Sequence, residues 1–348
     1  MELFRANNLS RLKPEFVSVR DPELQAQIIT SLNDCYSLPE VSQLRLGRAA
    51  GANVASQNLL VELPDARYFL KRRPVTDFEC LEREASWAVN LHRLGIKVPR
   101  VIPTKSDAKI GSDEQVCFAL YSFEEGDYFS GRNRELDEAA STFTSLTAAT
   151  IRLSGQLDGP LHRSSFFEEL PILLVEAMAR RDSSSGNLCQ THEGIIRETL
   201  QKVGDHRLSI ESQTLPMHMD YHPLNLLMKD SKVVCILDFE HVKSYPVSAG
   251  LGFAGYKLIR QAMVIDEIRE QEFLRPSLLS RWLQGWQREF PGNSFTPVQI
   301  GLGARYRVLH LISFILQSWL KQNDERFNYD LEKQLGSLYE LDLLTKGY

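Results

Sequence analysis

The stretch LPMHMDYHPLNLLMKDSKVVCILDFEH, residues 215–241, restricts the folds open to this chain more than any other segment. Pro223 lacks a backbone N–H, and its ring turns His222 away from helical backbone angles, so no helix runs through HMDYHPLN. The flanking runs are short and apolar. Residues 214–217, 225–228 and 233–237 read as strands. The polar residues between the first two then fall in an irregular turn at a strand edge, where functional groups collect. In such an arrangement Asn225, opening the second strand, meets Asp238, closing the third, across a hairpin.

Upstream, the pattern is mixed. A helix is expected over Pro22 to Tyr36, and two β-type runs, Gln57 to Leu63 and Arg67 to Arg72, flank Pro64-Asp65-Ala66 as a hairpin. Thr76 and Glu79 have the spacing of a capping box, after which Phe78, Leu81, Ala85, Ala88 and Leu91 recur at helical intervals until Gly95. Pro99 to Thr104 and Gln115 to Phe123 read as further strands. Glu124-Glu125-Gly126 is a short polar break, and beyond it the patterning is mostly helical. The small and polar residues of RRDSSSGNLCQTHEG, 180–194, suggest a surface loop between helices. Trp282, Trp286, Phe314 and Trp319 lie on apolar helical patterns and are expected to pack in the core.

Bulk properties narrow the functions. The 45 acids and 40 bases are interspersed and give a formal charge of -5, which argues against a nucleic-acid or anionic-membrane partner. Five scattered cysteines with no CxxC suggest neither a disulfide framework nor a thiolate zinc site, and fit a reducing cytoplasm. MELFRANNLSRLKPEFVSVR is too polar for a signal peptide, and VLHLISFILQSWL is too short to span a bilayer. A cytoplasmic protein is expected.

One amide oxygen and one carboxylate, Asn225 and Asp238, make a hard oxygen donor set that suits Mg²⁺ and leaves positions for phosphate and water. Phosphoryl transfer also needs a separate aspartate to accept or orient the proton of the attacking hydroxyl. The protein-kinase pattern H-R-D-x-x-x-x-N is matched in spacing by His218, Asp220 and Asn225, and Asp238-Phe239-Glu240 stands where D-F-G would be.

On these residues the sequence resembles the aminoglycoside phosphotransferase and choline kinase group of protein-kinase-like enzymes, which includes homoserine and methylthioribose kinases. That group carries H-G-D-x-H-P-x-N followed by a strand ending I-D-F/W-E/D; this chain has HMDYHPLN and ILDFE, with landmarks over roughly residues 40–260. His222 and Pro223 point to the small-molecule branch. The resemblance implies an α+β, two-lobed fold. Its N-terminal lobe, residues 1–123, would hold an antiparallel sheet with one main helix and a helical extension; 124–126 would be the hinge, and 127–348 the larger, mostly helical catalytic lobe. It further implies Asp220 as base, Asn225 and Asp238 as Mg²⁺ ligands, and His218 and His222 as supports of the loop.

The first lobe extends the pattern. A kinase-like enzyme needs a strand lysine on the nucleotide phosphates, held by a glutamate of the next helix. Lys71 in YFLKRR and Glu84, at the edge of the apolar stripe and preferred to Glu82, occupy those places. FALYSFEEG resembles the hinge, with backbone groups near Ser122 and Glu124 receiving adenine. GRAAGANVASQN stands for the phosphate-covering loop through Gly51 and Asn53, although it has neither GxGxxG nor a Walker A pattern. One departure is plain: the group's G-D-P-x-x-D-L-A segment, whose second aspartate ties down the catalytic loop, is replaced by SYPVSAGLGFAG, with Gly250 or a neighbour at that aspartate's place. The reading is an ATP- and Mg²⁺-dependent phosphotransferase acting on a small-molecule hydroxyl. The competing readings are a nucleotide-binding pseudokinase and a zinc metallohydrolase built on His218, Asp220 and His222.

Overall fold

The computed structural model describes residues 16–39, 41, 43–47, 57–155, 165–180, 182–265 and 274–345. The first lobe is an antiparallel sheet backed by helices. Its elements are β1 (Phe16–Ser18), α1 (Pro22–Cys35), β2 (Gln43–Gly47), β3 (Gln57–Glu62), β4 (Arg67–Pro74), α2 (Phe78–Arg93), β5 (Val101–Ile102), β6 (Gly111–Ser112) and β7 (Val116–Ser122). The strand order is β1-β2-β3-β4-β7-β5, with β6 on β7. Asp21 caps α1 by accepting the N–H groups of Glu23 and Leu24 at 3.0 and 3.2 Å. In the register, Lys71 lies between Asn58 of β3 and Ala119 of β7, in mid-sheet.

The expected capping box does not form. The chain first makes a 3₁₀ turn over Val75–Asp77; the Thr76 hydroxyl donates to the Asp77 carboxylate, and α2 starts without a side-chain cap. Its apolar stripe follows the expected spacing from Leu81 to Leu91, with Leu81, Ala85 and Ala88 packed with Cys117, Ala119 and Tyr121 of β7, but Phe78 at its start is exposed. Gly95, at φ +80°, lies just beyond its end. The strand expected over 99–104 is reduced to Val101–Ile102.

The second lobe opens with β8 (Asp127–Tyr128), followed by α3 (Asn133–Leu153), α4 (Phe166–Ala179), α5 (Ser184–Asp205) and the short α6 (Arg207–Ile210). Then come β9 (Thr214–His218), β10 (Leu226–Lys229), β11 (Lys232–Ile236) and β12 (Val242–Pro246), and the helices α7 (Val247–Ile265), α8 (Leu274–Glu289), α9 (Pro297–Gln322) and α10 (Phe327–Thr345). Strands β11-β10-β8 form one small sheet and β12-β9 another. α7 and α9 approach backbone to backbone, since a Cβ on Gly303 would meet Ser248 O at 2.2 Å. No helix among the described residues is long and apolar enough to cross a membrane.

Two expectations fail here. Residues 184–194 are not a loop but the first half of α5: Ser183 accepts the Gly186 N–H, and Ser185, Gly186, Cys189 and Ile196 form its buried stripe. Small residues there serve close packing, because a Cβ on Gly186 would fall 2.3 Å from Arg180 O. Trp282, Trp286 and Trp319 are core residues, but Phe314 is 60% exposed. With Gln317 and Lys321 it lies on the outer face of α9.

Candidate active site

The catalytic loop is built between two strand pairs. β12 runs antiparallel to β9, with Val242 opposite His218, and β10 to β11, with Leu226 opposite Ile236. His222 Nδ1 accepts the Leu224 N–H at 3.1 Å and Pro223 takes the first position of a 3₁₀ turn ending at Asn225, a use of proline where no N–H is needed. The Leu237 N–H donates to Asn225 O at 2.9 Å, which sets Asn225 and Asp238 at one end of the hairpin. Asp238 has φ +66°, an uncommon value for a residue other than glycine, and ends β11 by turning the chain into Phe239–His241.

His218 bridges the two halves of this loop. Its Nε2–H donates to Leu237 O at 3.0 Å and its Nδ1 accepts the Asp220 N–H at 3.2 Å. That pattern requires the neutral ring, and burial indeed pushes its pKa below 6.5. A histidine with a depressed folded pKa gives stability that is complete above its unfolded pKa and is lost as pH falls toward the folded one. Melting temperatures taken from pH 8 down to pH 5 are expected to fall more steeply for the wild type than for His218→Gln. Parallel curves would contradict the bridging role.

Asp220 carries the carboxylate of the loop. Asn225 Nδ2 donates to its carbonyl at 2.9 Å and to its Oδ2 at 3.2 Å, and His222 Nε2 lies 3.4 Å from the same Oδ2. Burial opposes the charge, but His222, and after it His241, outweigh it and hold Asp220 well below the ordinary carboxylate range. The Asn225 amide is thereby oriented with its nitrogen on Asp220 and its oxygen free of any donor among the described residues.

On the facing lobe, Lys71 is 5% exposed and donates to Glu84 Oε1 and, across the lobes, to Asp238 Oδ1 at 2.8 Å. Burial alone would discharge it; Asp238 and Glu84 together raise its pKa and keep the ammonium. Lys71, Glu84, Ser122, Glu124, Asn225 and Asp238 all line one cleft of about 190 Å³. At the rim, the Ser122 and Phe123 amides are spent on Arg100 O and Arg67 O, while the Glu124 N–H has no acceptor among the described residues. Gly51 and Asn53 lie outside the described residues.

The sequence profile of the phosphotransferase enzyme family matches residues 47–289, more than half of the chain. The chain belongs to that family. A search of curated proteins by sequence found no match. Among solved structures, a spectinomycin phosphotransferase with bound ADP and spectinomycin is similar at 14% identity and TM-score 0.66, over 91% of this chain and 98% of that one. An amicoumacin kinase bound to AMP-PNP and Ca²⁺ is similar at 11% identity and TM-score 0.63, over 94% and 96%. An aminoglycoside phosphotransferase from Alicyclobacillus acidocaldarius gives 15% identity and TM-score 0.53, over 89% and 96%. These likenesses establish the two-lobed, kinase-like fold.

Within this phosphotransferase the zinc reading fails on geometry: both ring nitrogens of His218 are hydrogen-bonded to the backbone and none is left for a metal. The carboxylates that do converge among the described residues are Glu84, Asp238 and Glu240, whose oxygens lie within 4.8 Å of one another. Glu240 is flanked by His241 Nε2 at 3.2 Å and Arg73 Nη2 at 3.6 Å. Tyr121 lines the cleft with a buried hydroxyl that has no partner among the described residues, and Glu84 does the same through Oε2. Sequence reasoning missed Tyr121 in the cleft and Arg73, Glu240 and His241 beside it; only the E of ILDFE was a signal for any of them.

At Gly250, one of the positions that could take the missing aspartate's place, packing leaves no room for a side chain unless Met217 moves. A Cβ there would meet Met217 Sδ at 2.6 Å, so the Met217 side chain fills the volume an aspartate would need. The loop is anchored instead by His218, by Met219 N–H on His241 O at 3.3 Å and by the Tyr221 hydroxyl on Ala139 O at 2.8 Å. Gly250→Asp is expected to cost about 3 kcal/mol or more, from overpacking and an unpaired buried carboxylate. Met217→Ala in the same chain should recover part of it in urea melts; equal stability of Gly250→Asp and wild type would refute the packing account.

Proposed function

We propose that the protein transfers the γ-phosphate of ATP to a hydroxyl of a small molecule. The observation that carries this reading is the convergence of Lys71, Glu84, Asn225 and Asp238 on one cleft, with Asp220 hydrogen-bonded behind Asn225. Adenine is assigned to the rim formed by 124–126, the hinge between lobes 1–123 and 127–348, where the Glu124 N–H is open. Lys71, fixed by Glu84, binds phosphate oxygens. The nucleotides named with the similar structures support ATP as the donor.

The donor set also fits a hard divalent ion: Asn225 Oδ1 and Asp238 Oδ2 are oxygens without donors among the described residues, and Glu84 Oε2 is orphaned beside them. Asn225 and Asp238 would hold Mg²⁺, which when bound neutralises phosphate charge. Asp220 receives the acceptor hydroxyl as a hydrogen-bond donor. As the acceptor oxygen bonds to γ-phosphorus and the bond to the ADP oxygen breaks, the hydroxyl proton passes to Asp220. A carboxylate held below its usual pKa is a weak base, so it orients the hydroxyl from the start and takes the proton late, once the oxygen has become acidic.

The test is transfer of label from γ-labelled ATP to members of an alcohol panel, with and without EDTA. Transfer that stops on chelation and returns with MgCl₂ is expected. Equal transfer in EDTA removes the metal assignment, and no transfer to any alcohol counts against the whole reading.

A further inference from the structure

The second lobe holds a group of cations that the transfer chemistry leaves unused. Lys243 and Tyr245 are two residues apart on β12 and so share a face. Lys243 Nζ lies 5.5 Å from the centre of the Tyr245 ring. Arg307 of α9 reaches the same ring at 5.6 Å and Phe253 at 5.8 Å. Lys257, one turn beyond Phe253 on α7, lies 4.9 Å from the rings of both Phe253 and Tyr256. Three basic side chains are therefore gathered around a few aromatic faces, with burial pushing the Lys257 ammonium well below its ordinary pKa.

Lys257 donates to Ser337 Oγ at 3.4 Å and lies within electrostatic reach of Glu340, but the described residues bring no ion-pair partner to the cluster. Glu340 is bonded to Arg260 at 2.7 Å and Glu211 to Arg207 at 3.3 Å, and no carboxylate makes an ion pair with Lys243, Lys257 or Arg307. Arg307 is only 7% exposed, and its Nε is buried with no hydrogen-bond partner among the described residues. Contact with a ring face returns less than taking such a charge out of water costs. Mutual repulsion adds to that cost: burial and Arg307 push the Lys243 pKa down to about 8. The guanidinium also reaches the Tyr245 hydroxyl, so the buried Nε is the one polar atom of Arg307 whose missing partner calls for an explanation.

The cluster sits beside the catalytic loop. Lys243 is opposite Met217, one residue pair from His218, on the strand that leads to Asp220. Lys257 is within electrostatic reach of the Asp220 carboxylate. Resting on the role proposed for Asp220, we propose that Arg307, with Lys243 and Lys257, anchors the acid group of the phosphate acceptor, which is therefore an anionic alcohol such as a hydroxylated carboxylate or phosphate ester. A guanidinium suits this task because its fork matches a carboxylate or phosphate edge. The same charges repel a polycationic acceptor.

The experiment uses the full chain with AMP-PNP and MgCl₂, and measures binding by calorimetry and saturation-transfer NMR. The probes are charge-matched alcohols: gluconate, glucose and glucosamine; glycerate, glycerol, 3-amino-1,2-propanediol and glycerol phosphate. An acid is expected to bind at least roughly tenfold more tightly than its neutral counterpart, and its amine counterpart not at all. Arg307→Met and Lys243→Met should each weaken the acid by a similar factor. Lys202→Met, which removes an exposed cation 2.6 Å from Glu198 on α5, should leave binding unchanged. Lys243→Met is also expected to keep or raise the melting temperature, which separates loss of binding from loss of fold. Amines binding as tightly as acids, no acid binding, or Lys243→Met without effect overturns the inference. Acid binding that depends on Lys243, without any phosphate transfer, keeps the anion site and rejects the transfer reading; transfer to the amines does the reverse.

Discussion

Replacing Asp220 by asparagine is expected to slow phosphoryl transfer by about 10²–10⁴-fold, the range for loss of a positioned acid–base group, while the nucleotide still binds. The substitution keeps shape. An asparagine at this position still presents an oxygen to Asn225 Nδ2, whose 2.9 Å bond to the backbone carbonyl of residue 220 is untouched. The loss should therefore fall on kcat, with little change in the KM for ATP, since Asp220 does not line the nucleotide cleft. Steady-state kinetics with an accepted alcohol decide this. Turnover within about tenfold of wild type would exclude Asp220 as the proton acceptor.

The largest stability effect is expected at Lys71. It is 5% exposed and its partner Glu84 is 3% exposed, so removing the ammonium leaves Glu84 buried without a counter-charge and next to Asp238. Lys71→Met should cost about 3–5 kcal/mol, the range for breaking a buried pair from one side, and should abolish transfer. Glu84→Gln in the same chain removes the stranded charge and should restore much of the stability without restoring transfer. Urea melts of the two single variants and the double variant measure the coupling. Additive losses in stability would mean that the pair is not a unit.

Those residues were legible in the sequence because local rules place them. Pro223 excludes a helix, the strand period carries Asp238 to the end of β11, and Lys71 falls on a hairpin strand whose partners are fixed by alternation. Glu84 was found from its position at the edge of a helical stripe. Tyr121 in the cleft and Arg73, Glu240 and His241 beside it were not found, because their place there depends on how the lobes and strands come together, which no local pattern encodes. The misreading of residues 184–194 has a different origin. Serine and glycine were taken as loop composition, whereas their helical spacing at 185, 186, 189 and 196 and the Ser183 cap were already present. Phe314 shows the opposite error: an apolar helix need not bury every apolar residue.

The contact between Met217 and Gly250 bears on how variants of this enzyme should be constructed. The two positions share one volume, so each is intolerant of change while the other is held fixed. A library scanned one position at a time will score residue 250 only against methionine at 217 and will miss solutions in which a smaller neighbour makes room. Grafting a loop anchor from another phosphotransferase into this chain is thus a paired exchange, in which the end of the methionine side chain moves or is replaced.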